Sequence, residues 1–470
     1  MLLGIGVSSP VGGRSAIPVI LALTVLFLLL MVAIVRPTAA VIAIFGYLTA
    51  VGLLRRIAPA MTGSLQVDPL LLIAPALALA LIVRTRPETI PVGRDPIGIL
   101  GLILVAVGVA EVLNPLDGGV VPGVVGLLYS VFPIAWFWIG SALATTTVIN
   151  RLGWMSVIVG ACVAIYGLYQ VQVGFPPWDS EWLVGHLSDY RALVAGGAVR
   201  AFGSFASSAE FATFLGVGVT FVIASLNRRR IYLLAPCVLL LVALFLDASR
   251  GIFVLTLVAS ALVVAFRSRS RRIAIVIGFA LVMAAIAFGP LSASITAAAI
   301  QTANPFVIHQ VTGLFNPFDP SQSTLPIHLN LIAQGFGSVL QAPFGYGPAA
   351  TNIAGLRLAT VTLSTEFDIS NQFVNLGIVG GMTYLTIAAI AMTRAIKLAV
   401  REPRPEYIWI MAAMVVNLGE WLNGGYYLLA PLTWFLIGGM NRSWLVWRSE
   451  HATDQSSIGH HRPDQIAQVN

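Results

Sequence analysis

Charged residues are scarce in this sequence. They make up 10% of its 470 residues, whereas 58% are hydrophobic, and a soluble domain usually carries about 25% charged residues. A chain this apolar could not present its surface to water, so lipid must be the solvent for most of it. The scarcity of charge excludes an ordinary soluble enzyme and predicts an integral membrane protein.

Cysteine and the common cofactor motifs are also scarce. The two cysteines, Cys162 and Cys237, lie inside apolar runs, which fits neither a disulfide framework nor a metal site. There is no nucleotide-binding P-loop and no H-E-x-x-H zinc motif. The sequence therefore predicts no metal and no cofactor.

Long apolar runs recur from residue 17 to residue 441. A bilayer core of about 30 Å needs about 20 apolar helical residues. Thirteen runs qualify, several of them short: 17–35, 38–54, 69–83, 97–113, 121–143, 152–173, 209–226, 231–247, 251–266, 272–290, 371–393, 406–422 and 426–441. These runs predict an all-α, multi-pass transmembrane bundle of 12–13 spans. We expect an N-terminal segment at 1–16, one transmembrane domain at 17–445 and a disordered cytoplasmic tail at 446–470.

Positive charge is clumped beside these runs. The net charge is +7, and clumping of this kind fits membrane topology better than nucleic-acid binding, because cytoplasmic loops are enriched in Lys and Arg. Arginine-rich segments at 228–230, 267–272 and 394–404 predict cytoplasmic loops, and Arg442 with Arg448 predicts a cytoplasmic C-terminus. Near the N-terminus, Arg36 and the Arg55-Arg56 pair cannot both lie on the cytoplasmic side if both apolar runs that flank them cross the membrane.

The same topology predicts three regions on the outer face. They are 174–207, the turn at 247–251 and the long segment 291–370, which has one Arg and no Lys. Apolar and Gly/Pro-rich pieces in the long segment predict short helices or re-entrant elements.

Two arginines in these outer regions are candidate ligands for an anion. Arg250 follows Asp247 in a turn between apolar runs, where it could bind a phosphate bidentately. The alternative is an Arg250–Asp247 pair with no ligand. Arg200 precedes a helix that Ser207 or Ser208 could cap, and it is either a second phosphate ligand or a loop cation.

Titratable groups in the long segment are candidates for a general base. Glu366 and Asp368 lie just before a helix N-terminus, which by itself favours carboxylates. One of them could instead accept a proton from a hydroxyl. His328 is a base, a phosphate partner or an ordinary loop histidine.

The order of short motifs resembles the superfamily of O-antigen ligases and O-antigen polymerase-like bacterial membrane glycosyltransferases. The motifs are Arg200–Phe205, Ser249-Arg250-Gly251, Pro343–Gly347 and Glu366–Gly381. The resemblance covers roughly residues 150–445 and implies a bundle of about 12 helices with an outer loop over the site. It also implies transfer of a saccharide from a polyprenyl diphosphate carrier to an acceptor hydroxyl at the outer face of the cytoplasmic membrane, without metal or nucleotide.

Within this resemblance, Arg200, Arg250 and Arg357 are expected to balance the diphosphate charge. Asp368 and Asn371 are expected to bind substrate. Ligases of the superfamily carry His-Asn at the start of the late helix, whereas this sequence has Ser370-Asn371. We therefore expect Glu366 as the base, with His328 second, and the departure favours a polymerase over a strict ligase.

Two other functions remain open from the sequence. A flippase or transporter of lipid-linked oligosaccharide suits many helices and few charges, although no internal repeat typical of many transporters is visible. A non-catalytic member of a polysaccharide assembly complex gains weight from the missing His. The expected partners are the lipid bilayer, a polyprenyl-diphosphate-linked glycan, an acceptor glycan or glycolipid and, in the last case, assembly proteins.

Overall fold

The structure of the chain, a computed structural model, is a bundle of helices. It describes residues 17–62, 69–85, 95–186, 194–268, 271–288, 291–321, 323–352, 355, 358–359, 361–363, 365, 367–423 and 426–459. Within these residues the α-helices are α1 (Ile17–Val35), α2 (Pro37–Thr62), α3 (Pro69–Thr85), α4 (Pro96–Glu111), α5 (Val120–Ser130), α6 (Ala135–Leu143), α7 (Thr146–Gln172), α8 (Pro177–His186), α9 (Ser208–Ser225), α10 (Leu234–Leu246), α11 (Arg250–Arg267), α12 (Arg272–Phe288), α13 (Leu291–Gln301), α14 (Pro305–Phe315), α15 (Leu325–Gln341), α16 (Asp368–Arg401), α17 (Pro405–Val416) and α18 (Leu429–Gly459). One small antiparallel hairpin pairs β1 (Val194–Ala195) with β2 (Ala198–Val199).

Several helices are long and apolar enough to cross a membrane. Six of those described meet this condition: Pro37–Ile57, Thr146–Gln172, Ser208–Ser225, Arg228–Leu246, Arg250–Arg267 and Asp368–Arg401. A pair bent by 41°, Val120–Ser130 with Phe132–Leu143, would make a seventh. The chain is an integral membrane protein, and the predicted all-α multi-pass bundle is confirmed. The predicted count of 12–13 spans is higher because it also includes shorter apolar helices, and it stays a prediction.

Helix α9 lies at the centre of the bundle. In its 18-residue apolar window 83% of the residues are buried, against 22% for α11. Gly216 and Gly218 bring it close to its neighbours, since a Cβ at Gly218 would lie 3.0 Å from the Ser156 carbonyl oxygen. A lipid-embedded bundle relies on such close packing because lipid tails are as apolar as the side chains they would replace.

The end of α2 lies against the segment 174–207. Arg56 is 2% exposed, and its Nε donates to Asp179 Oδ1 at 2.6 Å. Its other nitrogens donate to the carbonyls of Gly203 and Phe205 at 2.6 and 2.5 Å. Because Asp179 balances Arg56 inside the protein, this arginine need not lie in a cytoplasmic loop. Arg36 lies at the opposite end of α2, and the side of the membrane on which each end lies stays a prediction.

The opposite end of the bundle is tied by a second buried ion pair. Arg394 Nη1 of α16 donates to Asp95 Oδ1 at 2.7 Å and also to Asn441 of α18. Asn441 Nδ2 donates to Asp95 Oδ2 at 3.0 Å, and Asp95 also caps α4 through the amide of Ile97. Three helices distant in sequence thus meet at one carboxylate.

Helix α18 extends past the predicted end of the membrane domain. The sequence predicts a disordered tail from residue 446, whereas the helix continues to Gly459. Trp444 and Trp447 stack at 5.3 Å between ring centroids, and the Arg401 guanidinium lies 4.3 Å from the Trp447 ring. These contacts with the end of α16 support the helix where hydropathy alone gives no signal. Residues 460–470 lie outside the described ranges.

Candidate functional site

The turn between α10 and α11 is the centre of the candidate site. Asp247 is fully buried, and Ala248 has a φ of +61°, a left-handed conformation that is uncommon for a residue other than glycine. Ala248 packs with Phe306 of α14 and Ala195 of the hairpin. Surrounding contacts therefore hold the turn in a conformation that its own sequence does not favour.

Arg200 forms hydrogen bonds with two residues of this turn, Asp247 and Ser249. Its Nε donates to the Asp247 carbonyl at 2.8 Å, and its Nη2 donates to Asp247 Oδ2 at 3.0 Å and to the Ser249 hydroxyl. Ser249 Oγ in turn donates to Asp247 Oδ2 at 2.5 Å. Burial raises the pKa of the Asp247 carboxyl, and Arg200 and Ser249 oppose that rise. The alternative of an Arg250–Asp247 pair is wrong, because Arg200 takes that carboxylate.

Arg250 extends away from the turn toward α14. Its Nη2 lies 2.9 Å from His309 Nε2 and 3.5 Å from Thr324 Oγ1. The guanidinium occupies the place where a Cβ on Gly313 would stand. Glycine at 313 is therefore required for Arg250 to reach this position.

His309 faces Arg250 as a neutral imidazole. A guanidinium has no acceptor atom, so Nε2 of His309 must accept and the proton is assigned to Nδ1. Burial, together with the charges of Arg250 and Arg200, lowers the pKa of His309 to about 4. His309 is not among the residues predicted from the sequence, because no local pattern indicates that α14 packs on the turn.

His328 lies beside the same arginine. Its Nε2 is 3.1 Å from Thr324 Oγ1, the hydroxyl that also approaches Arg250. It is half-buried, at the start of α15. The structure therefore brings together three of the predicted site residues, which are Arg200, Arg250 and His328.

Two other predicted residues mark the start of α16. Asp368 is fully buried, accepts from the Tyr384 hydroxyl at 3.0 Å and from the Leu422 amide at 2.5 Å, and so ties α16 to the segment before α18. Asn371 is half-buried and accepts from the Thr365 hydroxyl. Their predicted roles in substrate binding stay predictions, as do those of Glu366 and Arg357, which lie outside the described residues.

Helix α15 connects these two groups. Phe336 packs edge-on against Phe373 of α16 at 5.3 Å between ring centroids. Gly335 lies so close to Thr365 and Ser370 that an added Cβ would be 2.7 Å from the Thr365 methyl carbon. The helix that begins near His328 thus runs against the beginning of the helix that carries Asn371.

The Pro343–Gly347 motif binds a break in α16. Gly377 has a φ of +65°, which interrupts the helix. The freed Val374 carbonyl accepts from the Tyr346 amide at 2.8 Å, and the Ile378 amide donates to the Pro343 carbonyl at 2.9 Å. In this structure the glycines of the motif let its backbone lie close to the backbone of α16, as at Gly345, where a Cβ would be 2.6 Å from the Asn375 carbonyl oxygen.

One cavity of the bundle is lined by none of the site residues described above. An apolar cavity of about 390 Å³ opens between α3, α4 and α5–α6, and Leu79, Leu102 and Trp138 are among its lining residues. Among the residues that the structure describes, no group of three or more His, Cys, Asp or Glu side chains could hold a metal ion.

Comparison with known proteins bears on the same region. Residues 235–389 match the family model described as O-Antigen ligase, a stretch that includes Arg250, His309, His328 and Asn371, while Arg200 precedes it. No curated protein and no solved structure gives a significant match. Over these residues the chain is O-antigen ligase-like, which confirms the resemblance predicted from the motifs.

Proposed function

We propose that this O-antigen ligase-like membrane protein transfers a glycan from a polyprenyl diphosphate carrier to the hydroxyl of an acceptor sugar. The observation that carries the proposal is the position of Arg250, at the end of a membrane span with a second arginine behind it. The leaving group of such a transfer is a diphosphate, whose charge must be balanced as the bond to the sugar breaks.

Arg250 suits a diphosphate in both chemistry and exposure. A guanidinium presents several N–H donors in a plane that matches phosphate oxygens. The side chain is partly exposed and its Nη2 lies beside the neutral groups of His309 and Thr324. Arg200 is held by Asp247 and is 9% exposed. In the proposal Arg250 contacts the phosphate, and Arg200 holds the turn and adds positive potential.

A base must take the proton of the acceptor hydroxyl. The hydroxyl oxygen bonds to the anomeric carbon, its proton passes to the base, and the bond from that carbon to the diphosphate oxygen breaks. His328 is supported by its distance from the anion ligand, since Thr324 stands between it and Arg250. In the proposal, the leaving group and the base thus lie on either side of Thr324. Glu366, the first choice from the sequence, remains a second candidate.

The finer assignments belong to the same proposal. The Ser370-Asn371 pair at the start of α16 favours a polymerase, whose acceptor is another lipid-linked repeat unit, over a ligase. We place the site at the outer face of the cytoplasmic membrane, where arginine-poor loops are expected. The substrates would enter from the lipid, because the carrier is a long hydrocarbon.

The test is transfer by the purified full-length protein in lipid nanodiscs. The donor is a labelled repeat unit on polyprenyl diphosphate, and both the new glycosidic product and the freed polyprenyl diphosphate are measured. Arg250→Gln should lower turnover on the order of 100-fold or more, as loss of one such donor does in other enzymes. The matched control is Arg267→Gln at the other end of α11, whose guanidinium donates to the carbonyls of Ile223 and Leu226.

The same assay separates the two bases and the rival functions. His328→Gln and Glu366→Gln are compared over pH, and loss of the acidic limb of the rate profile identifies the base. Wild-type turnover in Arg250→Gln would exclude the arginine assignment. Movement of the donor across the bilayer with no new glycosidic bond would favour a flippase. Inactivity together with copurifying assembly proteins would favour a scaffold.

A further inference from the structure

We infer that His309 is a further ligand of the diphosphate, neutral while the site is empty and protonated while the anion is bound. The inference rests on the proposed function, because it needs an anion at Arg250. It adds to that function a binding residue from α14 and a proton that is taken up with the donor.

The geometry places the imidazole where the anion must go. His309 Nε2 and Arg250 Nη2 are 2.9 Å apart and share one hydrogen bond. A phosphate oxygen that accepts from Arg250 competes with that imidazole lone pair. If Nε2 gains a proton, it becomes a donor and can hold the same phosphate from the other side. The displaced acceptor thus becomes a second donor without any movement of α14.

The charges around His309 favour its neutral form. Arg250 on α11 and Arg200 behind the turn are cations, and Asp247 is bound by Arg200. Helix α13 and the β1–β2 hairpin carry no titratable side chain, the charged residue of α12 is Arg272 at its start, and His328 lies beyond Thr324. Among the residues that the structure describes, cations therefore outnumber anions around His309, and burial together with Arg250 and Arg200 lowers its pKa to about 4.

A bound diphosphate reverses the sign of this environment. It brings at least two negative charges within hydrogen-bond reach of the imidazole, and a nearby opposite charge favours the protonated form. Because binding then raises the pKa of His309, affinity depends on pH. The contribution of His309 is complete below about pH 4, falls up to tenfold per pH unit above it, and is gone above the pKa of the complex.

The position also distinguishes His309 from His328. His309 Nε2 lies beside the guanidinium that holds the leaving group, so its proton stabilises the departing diphosphate. His328 is further from that guanidinium, because the Thr324 hydroxyl lies between the two side chains. Two histidines of the same loop thus act on opposite sides of the reaction, one with its proton retained and one as the acceptor of a proton.

The experiment is calorimetric titration of the purified full-length protein with a sugar-free polyprenyl diphosphate. Titrations at pH 6.5 in buffers of different ionisation enthalpy give the number of protons taken up on binding. The diphosphate itself exchanges protons, so the measured quantity is the difference from His309→Gln, which keeps an acceptor for Arg250. We expect the wild type to take up more protons than this variant, approaching about one. His451→Gln, which alters a histidine stacked on Trp447, should match the wild type.

The outcomes are distinct for the inference and for the proposed function. Equal proton uptake by the wild type and His309→Gln overturns the inference and leaves the diphosphate site intact. No binding by the wild type overturns both. If His309→Gln does not fold, His309→Lys replaces it, because a fixed cation should bind the diphosphate without proton uptake. Uptake by His309→Lys equal to that of the wild type would also overturn the inference.

Discussion

At the scale of single residues, the site depends on which carboxylate and which cation meet. Arg250 follows Asp247 closely in the sequence, but the fold pairs the Asp247 carboxylate with Arg200, 47 residues earlier. A buried ion pair that loses one partner leaves an uncompensated charge, which costs roughly 3–5 kcal/mol. Arg250 consequently extends away from Asp247, toward His309 and Thr324.

The residue types at this site were predictable, and one of the key contacts was not. Arg200, Arg250 and His328 stand out from the sequence because cations and a histidine are costly in a lipid-embedded chain. His309 is 59 residues from Arg250, and only the packing of α14 on the turn brings the two together. The amphipathic pattern of a short helix does not specify its partner, so this contact could not be predicted.

Gly313 provides a test of the position of Arg250 without changing any charge. A methyl group at Gly313 would occupy the site of the guanidinium, so Gly313→Ala should displace Arg250 and lower transfer by at least tenfold in the nanodisc assay. The matched control is Gly337→Ala, because an added Cβ at this glycine of α15 meets nothing within 4 Å. If Gly313→Ala transfers at the wild-type rate, the guanidinium does not act from the position described.

At the scale of elements, the late helix is two helical segments joined at Gly377. Hydropathy predicts one continuous span at 371–393, whereas the structure extends it to Asp368–Arg401 and interrupts it. An interruption inside a membrane is tolerated only where the freed backbone groups find partners. Residues 343–347 provide them, and Gly345 is needed because a Cβ there would lie 2.6 Å from the Asn375 carbonyl oxygen.

Substitution of Gly377 should therefore destabilise the protein. A side chain is strained at a φ of +65°, and its Cβ would collide with the backbone of Pro343 and Phe344. Such positions cost on the order of 1–3 kcal/mol, so Gly377→Ala should lower the thermal unfolding midpoint in detergent by several degrees.

The control for this experiment is Gly278→Ala in α12. An added Cβ at Gly278 meets nothing within 4 Å, and alanine is the better helix former by about 1 kcal/mol. The midpoint of this variant should be equal to or above that of the wild type. A Gly377→Ala protein as stable as the control would mean that the break in α16 is not required.

At the scale of the whole molecule, composition was sufficient for the class and insufficient for the path of the first helices. The shortage of charge predicts a multi-pass helical membrane protein, and the structure agrees. Arg56 is balanced by Asp179, which follows 123 residues later, so a count of basic residues alone does not assign a side of the membrane to the Arg55-Arg56 pair. Sequence-based topology cannot anticipate a charge that is neutralised by a distant segment.

The orientation of the bundle can be measured by cysteine labelling. With Cys162 and Cys237 replaced by alanine, Val184→Cys and Phe318→Cys introduce thiols at positions that are 90% and 72% exposed. Both should react with a membrane-impermeant maleimide in intact cells. Arg229→Cys, at the opposite end of the bundle, should react only after permeabilisation. Labelling of Arg229→Cys in intact cells, or of Val184→Cys and Phe318→Cys from different sides, would contradict the proposed topology.

The pairing of residues 343–347 with the break in α16 makes two distant stretches of chain a single unit of local opening. The amides of Tyr346 and Ile378 each donate to a carbonyl on the other stretch, so we expect the two stretches to open together. Segments that open together show the same protection against hydrogen exchange. A ligand that orders residues 343–347 should therefore slow deuterium uptake around Gly377 in α16 as well, even if the ligand does not contact that part of the helix.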